Sequence, residues 1–421
     1  MIEQTIDEFG EVLARRDKVL DAYRSHLSVG LARLARLMRA AVEVRSYGPH
    51  VWDDNGEKYL DCGGYGVFTL GHCHPRVVEA VVEQVRSHPL STRFLLNRPM
   101  AEAAEALARV APEGLDYVYF GVSGADAVET ALKLARLEGR KRIISMDNGY
   151  HGMTFGALSV TGREVYRQPF QPLLNEVEFV PFGNADALED ALSRGPEACV
   201  ILEPVQAEGG VVVPPEGYLS EVERACRAHG AFLIIDEIQT GLGRLGAWWG
   251  VDREGVVPDV LLVGKALTGG VVPVSAVVGS EAAFRRLSQD PLIHASTFSG
   301  APIAMAAAKA AVETIEEENI IPRAAALGDR LLQAITKAVE DTCPSLVREV
   351  RGSGLLIAIE WNADYLALDF LCTMLDQRVI LTHSMNAPTV TRLTPPAILS
   401  DEDVHVLEAA IRASGKVLAA R

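Results

Sequence analysis

Ala231-Phe-Leu-Ile-Ile-Asp-Glu-Ile-Gln-Thr-Gly-Leu-Gly-Arg244 is the stretch around which the rest of the chain is organised. Its apolar run, Ala231 to Ile235, has strand length and no polar alternation, the pattern of a strand buried on both faces of a parallel sheet. It delivers Asp236 at its carboxyl end, where open α/β sheets bind their ligands. A second run of the same design, Val260-Leu-Leu-Val-Gly-Lys265, ends on a lysine and is followed by Gly269 and Gly270. Taken singly, Asp236 reads as a turn cap and Lys265 as a surface lysine, because strand ends carry polar residues for solvation. The pair needs a third element.

That element is Gly121-Val-Ser-Gly-Ala-Asp-Ala-Val-Glu-Thr-Ala-Leu-Lys-Leu-Ala135. Small residues follow a β-like run, Tyr117 to Phe120, and open a helix rich in Ala and Leu, so the free N–H groups of the helix start face out of an uncluttered turn. Such a terminus holds a phosphate. It has neither the Gly-Lys-Ser/Thr of a P-loop nor the full glycine pattern of a dinucleotide fold. A phosphate cradle, a carboxylate and an amine at one sheet edge suit pyridoxal phosphate (PLP). Its aldehyde condenses with a lysine amine, and its ring nitrogen is kept protonated by a carboxylate so that the ring acts as an electron sink.

Around these motifs strand and helix signals alternate: Arg142 to Met146, Glu176 to Val180 and Cys199 to Pro204 as strands, Gly149 to Gly152 as a turn, and Leu219 to His229 as a helix stopped by Gly230. Alternation of this kind predicts an α/β fold with a doubly wound, mostly parallel sheet. The large domain is expected over residues 75–322. A smaller, discontinuous α/β domain is expected from residues 42–74 and 323–421, with a long helix from Arg323 to Val339 and one strand from Ser353 to Trp361. Asp53-Asp54-Asn55-Gly56 predicts a hairpin with a type I′ turn at Asn-Gly. Residues 1–41 read as helical, with Leu13, Leu20, Leu27, Leu31, Leu34 and Leu37 at helical spacings and no proline to interrupt. Arg33, Arg36 and Arg39 make a basic stripe beside them, solvated or partner-facing. Gly71-His-Cys-His-Pro75 invites a metal reading, but adjacent ligands cannot wrap one tetrahedral ion, and no second cluster follows; it predicts a turn into a helix from Arg76 to Ser87, with no metal.

The 421 residues are 48% apolar, enough for a large core, and the formal net charge of −16 argues against nucleic acid or anionic membranes as partners. No apolar run approaches a membrane span, and Met1 to Asp7 is acidic where a signal peptide would be basic and then apolar, so a cytoplasmic protein is expected. Six cysteines without a C-x-x-C pair predict reduced thiols rather than disulfides or zinc.

From about Gly48 to the C-terminus, the chain resembles the class III (ω-amino acid type) PLP-dependent aminotransferases of fold type I. Asp61-Cys-Gly-Gly-Tyr-Gly-Val-Phe68, Gln168-Pro-Phe-Gln-Pro-Leu-Leu174, Val180-Pro-Phe-Gly-Asn184 and Asp290-Pro-Leu-Ile-His294 most resemble the putrescine (diamine) branch. The resemblance implies that Lys265 binds the cofactor aldehyde and moves the proton, that Asp236 pairs with the ring nitrogen, and that Gln239 lies near the ring hydroxyl. It places Ser123, Gly124 and Ala125 at the phosphate, Tyr150 and His151 at the ring face, and Glu203 in the cofactor shell. Thr297 would reach the phosphate of a neighbouring subunit, so that a homodimer shares its active sites.

On the substrate side, the resemblance implies that Arg392 grips the α-carboxylate of glutamate or 2-oxoglutarate. Glu208 would pair with Arg392 when the amine lacks that group, and Tyr65 and Leu96 would border the substrate. Leu96 stands where ornithine-specific relatives carry a tyrosine, which speaks against ornithine. Val122, Ala207 and Ala301 depart from the family's usual Asn, Gly and Asn. The implied reaction is ping-pong transfer between a primary amine or diamine and a keto acid, or glutamate-dependent amination of a biosynthetic aldehyde. The alternatives are an aminomutase or decarboxylase of the same fold, and a non-catalytic scaffold.

Overall fold

Seven strands form the central sheet of the computed structural model, which describes residues 16–38 and 40–421. Across the sheet they run Tyr117–Gly121, Ser275–Gly279, Val260–Val263, Phe232–Asp236, Ala198–Leu202, Arg142–Met146 and Val177–Val180. Ser275–Gly279 is antiparallel to both its neighbours, and the pairs from Val260–Val263 onward are parallel. The pleat divides each central strand between two cores. Leu233 and Ile235 pack into one hydrophobic cluster and Phe232 and Ile234 into the other, as period-2 side chains must when both faces are covered. Helix Gly124–Leu137 covers one face with Ala127, Val128, Ala131 and Leu134, and Tyr218–Ala228 and Pro302–Glu317 cover the other. This is the α/β architecture of PLP enzymes of fold type I, with two smaller sheets beside it. Asp236 stands opposite Leu262 in the register, which brings Lys265, three residues further on, to the same end of the sheet.

One small sheet joins Glu43–Tyr47, His50–Asp53 and Lys58–Asp61 to Val379–Ile380, which pairs parallel to Lys58–Asp61 from the far end of the chain. The other comprises Val347–Ser353, Leu356–Trp361, Ala387–Leu393 and Thr382–Ser384. Helix Tyr218–Ala228 stops as predicted: the Ala231 N–H bonds the Cys226 carbonyl at 2.8 Å around Gly230 in the left-handed region, a Schellman motif. Cys62, Cys73, Cys199, Cys226 and Cys343 are free thiols. Among the described residues no helix is long and apolar enough to cross a membrane.

Four local expectations are corrected. The hairpin after Asp53 is not type I′, because of its loop residues only Gly56 has a positive φ (80°); the Asp53 carboxylate accepts from the Asn55 and Glu57 amides at 2.9 Å each and moves the reversal back onto Asp54-Asn55. The stretch expected as one strand from Ser353 turns at Gly354-Leu355, so that Val347–Ser353 and Leu356–Trp361 form an antiparallel hairpin. The long helix spans Ile320–Thr342 and includes Pro322 in its first turn, where the missing N–H has no intrahelical partner to lose. Near the N-terminus the helix is interrupted: Ser28 is extended and caps Val29–Leu37 through its bond to the Leu31 N–H, and Leu27, Leu31, Leu34 and Leu37 are exposed. Leu13 and Arg39 lie outside the described residues.

Glu237, immediately after Asp236, is buried and serves the fold. It accepts from the Thr240 hydroxyl and from the Val251 N–H at 2.9 Å. Burial pushes its carboxyl up to about 7, against the pull of those donors. A carboxyl that holds its proton more tightly folded than unfolded stabilises the fold below its unfolded value, and that contribution is lost as pH rises toward the folded value. Glu237→Gln keeps an acceptor for Val251 and removes the charge. Its thermal midpoint, relative to the natural chain, is therefore expected to rise between about pH 5 and about pH 8, by on the order of 3 kcal/mol in stability. A difference that is flat across that range, in paired thermal melts, would count against a carboxyl that ionises at a cost.

Candidate active site

Lys265 leaves the strand Val260–Val263 through an extended Gly264 and sits at φ 44°, a backbone conformation that costs a non-glycine residue about 1–3 kcal/mol. Ile238 ties this end of the sheet together. A Cβ at Gly264 would lie 3.3 Å from it, and one at Gly124 would lie 3.1 Å from it, so one side chain packs on both the lysine loop and the helix start. The N-terminus of Gly124–Leu137, capped by the Ser123 side chain on the Asp126 N–H, thereby faces the same cavity as Asp236 and Lys265.

That cavity, of about 260 Å³, brings together Ser123, Gly124, Ala125, Tyr150, His151, Glu203, Glu208, Asp236, Gln239 and Lys265. Asp236 is buried, with Oδ2 at 2.7 Å from His151 Nδ1 and Oδ1 accepting from the Ile238 N–H at 3.1 Å. The carboxylate makes His151 Nδ1 the donor, and Nε2 of the same ring has no partner among the described residues. Both polar atoms of the buried Gln239 side chain likewise have no partner among the described residues. An unsatisfied buried polar group costs about 1–3 kcal/mol, so these orphans, together with an anion-binding helix start, fit a polar aromatic phosphate such as PLP.

The charges in the cavity are coupled. Burial lowers the Lys265 amine below its ordinary value, with Glu208 opposing and Arg392 assisting; that enlarges the neutral, nucleophilic fraction. Burial pushes the Glu203 carboxyl up to about 7. It accepts from the Tyr150 N–H at 3.0 Å, which fixes the loop carrying Tyr150 and His151. Arg392, on the strand Ala387–Leu393, forms an ion pair of 2.7 Å with Glu208, and the two side chains are 1% and 8% exposed. Burial works to raise the Glu208 carboxyl, but Arg392 and Lys265 overcome it and hold it below the ordinary value.

Four predicted site residues do not line this cavity: Arg392, which reaches it through Glu208, and Leu96, Thr297 and Tyr65. Leu96 and Thr297 are exposed and line a separate hollow of about 580 Å³ with Leu95 and Phe298, and Tyr65 is 70% exposed at φ 51°. In the Gly71–Pro75 motif, His72 bonds Asp61 at 2.8 Å and stacks on Phe68, and His74 lies 3.3 Å from Glu318. Sequence reasoning missed Met385, whose N–H donates to Glu208 Oε2 at 2.8 Å, and Arg244, whose guanidinium joins the Pro395 carbonyl at 2.6 Å to Thr69 Oγ1 at 3.0 Å. The first acts through main-chain atoms and leaves no mark in composition; the second lay in the opening stretch but had no visible partner.

A lysine and an acid at one edge of a mostly parallel sheet, facing a helix start, define a PLP-dependent enzyme of fold type I. The chain belongs to the aminotransferase class-III family, whose model matches residues 33–413, and it is a PLP-dependent aminotransferase. Among solved structures, the ornithine aminotransferase from Toxoplasma gondii, with PLP at partial occupancy in its active site, is 32% identical over 95% of this chain and 98% of its own, with a TM-score of 0.85. A thermostable (S)-enantioselective omega-transaminase from Thermomicrobium roseum is 31% identical, covering 95% of this chain and 98% of its own, with a TM-score of 0.87. A transaminase from the marine bacterium Virgibacillus is 28% identical over 90% and 94%, with a TM-score of 0.84.

Proposed function

We propose that this aminotransferase moves an amino group between a primary ω-amine or diamine such as putrescine and 2-oxoglutarate or glutamate, in a ping-pong cycle. It would run either as amine degradation or as glutamate-dependent amination of an aldehyde. The observation that carries the reading is the buried Arg392–Glu208 pair beside Lys265. A guanidinium matches a carboxylate with two parallel donors. Glu208 covers that charge when the substrate has no α-carboxylate, and yields when a keto acid arrives.

In this reading Ser123, Gly124 and Ala125 hold the cofactor phosphate, Asp236 the ring nitrogen, and Gln239 the ring hydroxyl. Tyr150 and His151 lie against the ring, fixed by Glu203. The bound cofactor supplies the electron sink, and Lys265 supplies the amine and moves the proton at the substrate carbon. Thr297 and Leu96 serve a second copy of the chain. Exposed Phe94, Leu95, Leu292 and Phe298 beside them form an apolar surface that a homodimer would bury.

Glu208→Gln tests the pairing. It leaves Arg392 without a countercharge, which favours glutamate and repels the distal ammonium of a diamine. The ratio of kcat/KM for putrescine to that for glutamate is expected to fall about tenfold or more. An unchanged ratio removes the gate, and no turnover of any amine lacking an α-carboxylate removes the ω-amine reading.

A further inference from the structure

Glu208 is held by more than Arg392. Its Oε2 accepts the Met385 N–H at 2.8 Å, and its carbonyl accepts the Asn386 N–H at 2.9 Å. Met385 and Asn386 form the turn between the strands Thr382–Ser384 and Ala387–Leu393, the second of which carries Arg392. The outer side of that turn is held in its own right: the Met385 carbonyl accepts the Tyr166 hydroxyl at 2.8 Å and Arg163 Nη1 at 3.3 Å. The Met385 C=O and Asn386 N–H belong to one peptide group, so a donor on the first polarises the second toward the Glu208 main-chain carbonyl and helps hold the turn against the residue whose carboxylate Met385 bonds. Tyr166 itself, on the short helix Glu164–Arg167, does not line the cavity.

We propose that Tyr166 is a specificity-determining positioning residue: through Met385 it sets how firmly Glu208 occupies Arg392, and so the balance between keto-acid and ω-amine binding. The inference rests on the gate reading of Glu208. A dicarboxylate must displace Glu208, so its apparent affinity is its intrinsic affinity multiplied by the fraction in which Arg392 is free of Glu208. An amine without an α-carboxylate needs the paired population. Loosening the turn therefore moves the two affinities in opposite directions, whereas general damage near the site weakens both.

The experiment compares Tyr166→Phe holoenzyme with the natural protein. The probes are calorimetric binding of glutarate, a dicarboxylate that cannot be aminated, and the KM values for 2-oxoglutarate and putrescine. Loss of one neutral hydrogen bond predicts tighter glutarate binding, a 2-oxoglutarate KM lower by the same factor and a higher putrescine KM, so that the ratio of the putrescine KM to the glutarate Kd rises about fivefold in all, with an unchanged kcat. In a Glu208→Gln background the Tyr166→Phe change should have no further effect on glutarate. If Glu208→Gln tightens glutarate but Tyr166→Phe does not, or if Tyr166→Phe weakens glutarate and putrescine alike, the positioning role is overturned while the gate stands. If Glu208→Gln itself leaves glutarate affinity unchanged, the gate reading has failed first.

Discussion

Lys265→Ala is expected to reduce transamination by about 10⁴-fold or more, because one side chain is removed from its two proposed tasks, the covalent hold on the cofactor and proton transfer at the substrate carbon. Among the described residues no other lysine lines the cavity, and the adjacent groups are ill suited to substitute. Glu203 and Asp236 are buried and already bonded to Tyr150 and His151, and Arg392 is committed to Glu208. The fold should survive. Alanine adopts the left-handed conformation at this position with no more strain than lysine, and the loss of a buried amine removes a desolvation cost. Turnover assays with glutamate and with putrescine, alongside retention of cofactor through gel filtration, measure the two tasks separately. A variant that keeps measurable turnover without added amine would overturn the assignment of Lys265 to both.

The central sheet was legible because strands buried on both faces are written as uninterrupted apolar runs, and Ala231 to Ile235 and Val260 to Val263 are such runs. Asp236 and Lys265 could be read as partners because a parallel register puts both strand ends at one edge. What escaped was set by contacts far apart in the chain. Tyr166 and Met385 are 219 residues apart and meet through a carbonyl, which any residue type supplies. The turn at Asp53 was misplaced because a side-chain carboxylate outcompeted the Asn-Gly preference. The helix before Arg323 was shortened by treating Pro322 as a boundary, although a proline in a first turn loses no bond. Thr297 and Leu96 stand on surface that the chain leaves exposed, apart from the cavity, and the site role proposed for them would need a second copy.

Asp236→Asn is expected to lower kcat by about 10²- to 10³-fold in both halves of the cycle, the usual effect of removing one preorganised charge from a dry site. The geometry leaves little room for compensation. One carboxylate oxygen is fixed by the Ile238 N–H and the other by His151, whose side chain is fully buried. With an amide at residue 236, either its oxygen leaves Ile238 or its NH₂ faces His151 Nδ1. The second arrangement moves the imidazole proton to Nε2, the atom that has no partner among the described residues. Charge and orientation are lost together, which makes the change larger than one hydrogen bond. The pattern of loss distinguishes this residue from the gate. Asp236 is proposed to act on the electron sink that both half-reactions share, so single-turnover rates with putrescine and with glutamate should fall by similar factors, whereas Glu208→Gln should drive them apart. Equal losses with a thermal midpoint close to that of the natural chain support a role in chemistry. A loss confined to one amine would make Asp236 a substrate-binding residue and leave the cofactor's ring nitrogen without its proposed partner.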